Sequence, residues 1–236
     1  MRAFSVAAAL LLVFTIGTTS VFAENLTATS ALGALPPAGA IGLFDGTNQD
    51  AWLSQMDRRW EESDGPADWK VTPEGWLEVV PGAGSLITKQ RWRDFQLHYE
   101  FRLPPSEVNG GVFLLARYEL GISASSDGSS RCGGVDNLHE RIRPTVRADL
   151  GPNEWQSVDV EFRAPRFDDA NKVRENARAT VLFNGVMIHD NVELGPRKGA
   201  AKRLGDSPDG PIMLQDHGST HWFRNIWIVE RGATDN

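Results

Sequence analysis

From Phe95 to Leu103 apolar and polar residues alternate without a break, Phe95, Leu97, Tyr99, Phe101 and Leu103 against Gln96, His98, Glu100 and Arg102. A period of two sends the two sets to opposite faces of a β-strand, so the pattern predicts one face in a core and the other wet. Trp155 to Arg163 repeats the pattern, with Val158, Val160 and Phe162 against Ser157, Asp159, Glu161 and Arg163. Shorter runs frame these two. Trp69–Val71 and Trp76–Val80 flank the turn Thr72-Pro73-Glu74-Gly75, and Ser85–Gln90 follows the Gly82-Ala83-Gly84 break. Asn109-Gly110-Gly111 opens a run read as one strand, Val112–Ile122. Arg178–Phe183 and Val186–His189 flank Asn184-Gly185, the strongest two-residue hairpin signal. Ile212–Leu214 and Trp222–Val229 flank Gly218-Ser219-Thr220 and predict a closing hairpin that carries Gln215, Asp216 and His217 at one strand's end. Past the N-terminal stretch nothing shows sustained helical periodicity. Eight or more strands between Gly, Pro and Asn turns predict an all-β sandwich of two antiparallel sheets, and the 8 Trp and 11 Phe supply large rings to fill the space between them.

The N-terminal stretch reads differently. Arg2, an apolar run from Val6 to Ile16, and small residues at Val21 and Ala23 have the form of a secretory signal peptide over residues 1–23, cleaved after Ala23. The run is shorter than the roughly 20 residues of a spanning helix, so the expectation is a secreted or periplasmic protein with no membrane span after signal removal. Residues 24–40 are small, contain Pro and Gly, lack periodicity, and predict a flexible leader. Residues 41–232 then form a single domain. Between Ser123 and Gly151 the chain turns irregular and polar for longer than loops usually run without a function, which makes this segment a candidate rim or lid.

Charge and cysteine content narrow the partners. The formal net charge is -7, and becomes -8 once the single positive charge of Arg2 is removed. No basic run appears, which argues against a nucleic-acid partner. One cysteine, Cys132, leaves no internal disulfide. The five histidines have no zinc-type spacing, while an oxygen-ligated divalent cation stays open and no cofactor is otherwise indicated.

Candidate chemistry gathers at two places. Arg117 and Glu119, two apart on the expected strand, project from one face. There Glu119 would be a base or an acceptor for sugar hydroxyls and Arg117 would hold a developing oxyanion; the alternative is an exposed cross-strand ion pair. In the triplet, alternation sends Gln215 and His217 to one face and Asp216 to the other. Histidine is a side chain suited to proton transfer, and Asp216 would orient His217 or act alone; the alternative is that Asp216 and Gly218 only build a turn. His139-Glu140, in the long loop, would reach over a cleft beside it; the alternative is a solvated loop charge pair. His98, His189 and His221 read as solvent-face or turn residues. Trp52, Trp60 and Trp92 are candidates for a sugar platform as well as for core.

The ordered segments LFDGTNQDAW (Leu43 to Trp52), WKVTPEGWLEV (Trp69 to Val79), LITKQRWRDFQLHYEFRLP (Leu86 to Pro104), NGGVFLLARYELGI (Asn109 to Ile122), NEWQSVDVEFRAPRFD (Asn153 to Asp168), VLFNGVMIHDNVEL (Val181 to Leu194) and GPIMLQDHG with FRNIWI (Gly210 to Ile228) resemble the 3-keto-disaccharide hydrolase family, also described as 3-keto-glucoside 1,2-lyase/hydratase. The resemblance implies a concanavalin A-like jelly roll, usually exported, that acts on glycosides already oxidised at C3. It also implies a route in which a base takes the C2 proton, the C1 aglycone is eliminated and water adds afterwards. On this chain the matching motifs make Glu119, His217 and Asp216 the candidate catalytic residues. Arg117, Gln215, Asn109 and His139 are the candidate substrate-binding residues. One departure stands out: Gly121 occupies the position where the family often has Gln. Two rival functions remain on the same fold: a carbohydrate-binding module, which binds unoxidised glycans without turnover, and a conventional glycosidase with two carboxylates facing each other across a cleft.

Overall fold

The computed structural model describes residues 32–56, 62–125, 132–136, 141–195 and 204–232. Its strands are β1 (Ile41–Phe44), β2 (Trp52–Gln55), β3 (Gly65–Pro66), β4 (Lys70–Val71), β5 (Leu77–Glu78) and β6 (Ser85–Thr88). The long central strands follow, β7 (Phe95–Arg102), β8 (Val108–Leu114) and β9 (Tyr118–Ala124), then β10 (Val135–Asp136), β11 (Arg141–Ile142) and β12 (Trp155–Arg163). The chain closes with β13 (Arg166–Phe167), β14 (Val173–Glu175), β15 (Ala177–Phe183), β16 (Val186–Leu194), β17 (Met213–Leu214) and β18 (Trp222–Glu230). They build two eight-stranded sheets, both paired antiparallel throughout. The first runs β16-β15-β12-β7-β18-β5-β4 with β1 also on β18, and the second runs β11-β10-β9-β8-β17-β6-β2-β3. The two pack face to face as a jelly-roll sandwich, with Tyr118 of the second sheet against Phe162 of the first at 5.7 Å between ring centroids.

Alternation places the core as the sequence leads one to expect. Phe95, Leu97, Tyr99 and Phe101 of β7 are buried, as are Val158, Val160 and Phe162 of β12. Trp52 and Trp92 are 1% exposed and belong to the core, not to a sugar platform; Trp60 lies outside the described residues. The turn Asn184-Gly185, with φ of 50° and 75°, joins β15 and β16 as expected.

Four expectations are corrected. First, the polar face of β7 is not wet: Gln96, His98 and Glu100 are 3%, 0% and 0% exposed. His98 Nδ1 lies 2.8 Å from Asp159 Oδ1, Arg224 Nε donates to Glu100 Oε2 at 2.7 Å, and Asn225 Nδ2 donates to Glu100 Oε1 at 3.0 Å. Buried charges survive only with such partners. Burial alone would raise the Glu100 carboxyl, but bonds from His98, Asn225, Arg224 and the Gly33 N–H outweigh it and hold it at about 2. Burial would likewise lower His98, yet Asp159 and Glu100 keep it above the ordinary histidine range.

Second, the end of the leader is part of the structure. The Gly33 N–H donates to Glu100, and Asn225 Nδ2 donates to the Ala34 carbonyl at 2.9 Å. The part of the expected leader before residue 32 is outside the described residues.

Third, Val112–Ile122 is not one strand. The chain reverses at Leu115 and Ala116, both left-handed at φ 53° and 52°, and the Arg117 N–H closes the turn onto the Leu114 carbonyl at 3.0 Å. Both turn residues are fully buried, and Gly210 packs so tightly on Leu115 that a Cβ there would meet its carbonyl oxygen at 2.6 Å.

Fourth, the closing segments are no hairpin. β17 pairs with β6 and β8 in the second sheet, while β18 pairs with β7, β5 and β1 in the first. The stretch between them crosses from one sheet to the other.

Candidate functional site

The outer face of the second sheet carries the candidate chemistry. Val112, Leu114, Leu120 and Ile122 point into the main core, so their strand neighbours Gly111, Phe113, Glu119 and Gly121 face the other way. Register pairs Phe113 with Glu119, Gly111 with Gly121 and Asn109 with Ser123. β17 extends the rows: Met213 pairs with Phe113, and the Gln215 N–H donates to the Gly111 carbonyl at 3.0 Å. His217 falls beside Asn109, with Nδ1 3.2 Å from Asn109 Nδ2. Three rows result. The first is Glu119, Phe113, Met213 and Ile87, whose apolar members form a small cluster of their own. Gly121, Gly111 and Gln215 make the second, and Ser123, Asn109 and His217 the third.

Glu119 does not stand upright in its row. A Cβ built on Gly111 would come 2.8 Å from both Glu119 Cγ and Oε1, so the carboxylate arm lies across the glycine. Glu119, Gln215 and His217 thus gather around the buried backbone of Gly111 and Gly121. Strand β8 alone separates β9 from β17, so Glu119 and the two outward members of the triplet share one surface.

Asp216 is not among them. Its Oδ2 accepts from the N–H groups of Gly82 and Gly84 at 2.7 and 3.2 Å, and its Oδ1 accepts from Gly218 N–H at 2.8 Å. With its own N–H on Ser85 Oγ at 3.1 Å, it clamps the loop before β6 to the crossover. These contacts give Asp216 the role in a turn that the sequence offered as the alternative.

Arg117 does not stand on a strand face with Glu119. It sits in the β8–β9 turn, 4% exposed, and donates to the carbonyls of Leu115, Leu204 and Gly205 at 2.9, 3.4 and 3.0 Å. The premise that it shares a strand face with Glu119 fails because the strand has ended. His139 lies outside the described residues. Among the described residues no three His, Cys, Asp or Glu side chains come together.

Where the third row reaches the strand ends, a cleft of about 660 Å³ opens between Pro104, Glu107, Asn109, His217, Thr220 and Trp222. Beneath it, on the core side, His221 is fully buried against Gly110, with its Nδ1 3.0 Å from the Ser219 carbonyl. Burial pushes this imidazole down to about 4, so it is neutral at ordinary pH. Ser219 Oγ in turn accepts from the Asn109 N–H at 3.0 Å. The cleft residues Glu107, Thr220 and Trp222 carried no sequence signal, because loop and strand-end residues show their shared wall only once the two sheets are stacked.

Fold and face together define a two-sheet sandwich with a carboxylate, an amide and an imidazole on the outer face of one sheet. The family model described as the 3-keto-alpha-glucoside-1,2-lyase-like domain matches residues 39–229, and the chain belongs to that family. A solved structure of a provisionally named glycosyl hydrolase from Parabacteroides distasonis is 30% identical, with a TM-score of 0.68 over 83% of this chain and 85% of that one. Two further provisionally named glycosyl hydrolases from the same organism share the fold. One is 16% identical with a TM-score of 0.55 over 82% of this chain and 94% of that one. The other is 19% identical with a TM-score of 0.53 over 81% of this chain and 99% of that one. No curated protein sequence matches the chain.

Proposed function

We propose that this protein is an exported enzyme that cleaves the glycosidic bond of 3-keto-glycosides, with Glu119 as the base. The observation that carries the reading is the placement of the Glu119 arm over Gly111, on the same face as Gln215 and His217, in a chain of this family. A ketone at C3 acidifies the hydrogen on C2. Glu119 takes that proton, and the electron pair moves onto the C3 oxygen as an enolate. The N–H groups of Gln215 and His217 are the donors on this face that would hold the oxyanion. The pair then returns to form the C1=C2 double bond, and the C1–O bond breaks with the aglycone oxygen taking a proton from His217 or water. Water added across C1=C2 restores the saturated 3-keto sugar, so the net reaction is hydrolysis.

The test is to mix purified protein with a 3-keto-glucoside and follow aglycone release. Replacing Glu119 by Gln keeps the shape and removes the base, and should lower kcat by about 10²- to 10⁴-fold with an unchanged unfolding temperature. No release by the native protein, with or without Ca²⁺, Mn²⁺ or Mg²⁺, refutes the reading. Tight binding of unoxidised glycans without turnover would assign a binding module in its place. The export half of the proposal rests on residues 1–23 and predicts a mature chain beginning at Glu24, recovered outside the cytoplasm.

A further inference from the structure

The cleft at the strand ends has a composition that the reaction just described does not require. Trp222 forms one wall, half-buried, and its Nε1–H donates to Glu78 Oε2 at 2.8 Å. Glu78 is itself held by Lys70 Nζ at 3.1 Å. The indole edge rests against Trp76 at 6.3 Å between centroids, and Trp76 against Trp155 at 5.3 Å. Arg102 caps Trp76 at 5.3 Å and Arg224 caps Trp155 at 4.0 Å. Trp222 is therefore fixed before any ligand arrives, and its polar atom is already satisfied. What remains for a ligand is an apolar ring surface whose ordering cost has been met in the fold.

The opposite walls are polar but carry little charge. Asn109, His217, Ser106 and Thr220 offer hydrogen bonds, and Glu107 is an acceptor. Among the described residues no Lys or Arg lines the cleft, so nothing there favours a phosphate, sulfate or carboxylate. A volume of about 660 Å³ falls in the range that takes a small-molecule ligand. The cleft lies further along β8 from the carboxylate: Asn109 stands four residues from Phe113, which at strand rise is about 13 Å beyond the Glu119 row. A sugar with its C2 proton at Glu119 and its C1 bond turned along β8 would bring the leaving group to this cleft.

We infer that the cleft is a subsite for the leaving part of the substrate and selects an uncharged, ring-bearing aglycone, with the ring face on Trp222 and its edge groups on Asn109 and Thr220. The inference rests on the reading that the face carrying Glu119 holds the reacting sugar. A second sugar and an aryl group present the same ring chemistry.

Three substrates separate the outcomes: methyl, phenyl and glucosyl 3-keto-glucosides, each assayed with the full chain and with Trp222→Ala. The native protein should favour the phenyl and glucosyl substrates over the methyl one in kcat/KM, and Trp222→Ala should cut that preference about 10-fold, mainly through KM. A larger loss on the glucosyl substrate identifies a second sugar as the ligand, and a larger loss on the phenyl substrate identifies an aryl group. Equal loss on all three substrates, or no preference in the native protein, overturns the subsite. Should Trp222→Ala fail to fold, Ser106→Trp, at an exposed position, fills the same cleft from the rim and must give the same ring-selective loss. Calorimetry with the unoxidised glucosides keeps the two readings apart. If no 3-keto-glycoside is cleaved, the proposed reaction fails. The subsite then stands if ring-bearing glucosides bind the native protein and not Trp222→Ala, and falls if neither binds.

Discussion

Gly111→Ala is the sharpest single perturbation the site offers. Gly111 is absent from the glycines with left-handed backbone, so alanine meets no conformational penalty. Its methyl would lie 2.8 Å from both Glu119 Cγ and Oε1, about 1 Å short of comfortable contact. The atoms in the way are Cγ and Oε1 of one side chain, so the clash is relieved by turning Glu119 about its inner side-chain bonds, at about 0.5–1.5 kcal/mol for an off-rotamer arm. Alanine in a strand returns about 0.5–1 kcal/mol relative to glycine. The two nearly cancel, and at about 2–4 °C per kcal/mol for a domain of this size the unfolding temperature should move by no more than a few degrees. Turnover should respond very differently, because a reacting group displaced by about 1 Å costs about 100-fold. The neighbouring change supplies the contrast. In Gly110→Ala the methyl faces the core and meets the buried His221 ring at 2.9 Å; that ring is walled in, so stability should drop. The pair is measured by thermal unfolding and by kcat/KM for aglycone release. A folded Gly111→Ala protein with native kcat/KM would refute the claim that Glu119, held over this glycine, is the base.

Three further outcomes follow from the same contacts. Asp216→Ala orphans three N–H groups that now meet a carboxylate, so stability should fall by roughly 2–3 kcal/mol, seen as a lower unfolding temperature; a loss of turnover with unchanged melting would instead make Asp216 a catalytic group. His221 is neutral in the fold, with its pKa down at about 4 from 6.5, and the unfolded chain takes the proton first. Stability is therefore complete above about pH 6.5 and declines by roughly 3 kcal/mol as pH falls toward 4, with the lowered His189 acting in the same direction. Urea unfolding at pH 7, 5.5 and 4 should show this decline, and His221→Gln should flatten it. A chain beginning at Leu35 loses the Gly33 and Ala34 bonds to Glu100 and Asn225 and should be less stable by about 2–4 kcal/mol; an unchanged denaturant midpoint would show that the leader contributes nothing.

The parts of the fold legible in the sequence are those fixed by local rules. The period of two found β7 and β12, and Asn184-Gly185 announced its hairpin, because strand faces and two-residue turns depend on neighbours in the chain. Exposure was not legible. Alternation says that His98 and Glu100 are polar, while their burial depends on Asp159, Arg224, Asn225 and Gly33, each far away in sequence. The turn at Leu115 and Ala116 gave no sign either, since two apolar residues in left-handed backbone follow no turn code. Its cause is tertiary: the 204–210 segment lies over it, with the Arg117 guanidinium on the Leu204 and Gly205 carbonyls and Gly210 against Leu115.

The triplet Gln215-Asp216-His217 shows how far alternation can carry a functional reading. Its face assignment holds: Gln215 and His217 lie with Gly111 and Asn109, and Asp216 turns away to the 82–85 loop. The pairing assignment does not, because a run of two apolar residues such as Met213-Leu214 cannot specify whether it pairs with the next strand or with strands a hundred residues earlier. The crossover that results has a consequence for chemistry. A hairpin would have left the triplet at a free edge, whereas insertion of β17 between β6 and β8 puts it in the middle of a sheet, one strand from Glu119. The Asp216 clamp ties the crossover to the neighbouring loop just where the chain leaves that sheet, and so sets where His217 stands relative to Asn109. Residues adjacent in sequence thus divide the work, the outward pair facing the proposed substrate and the inward carboxylate holding them beside the Gly111 backbone.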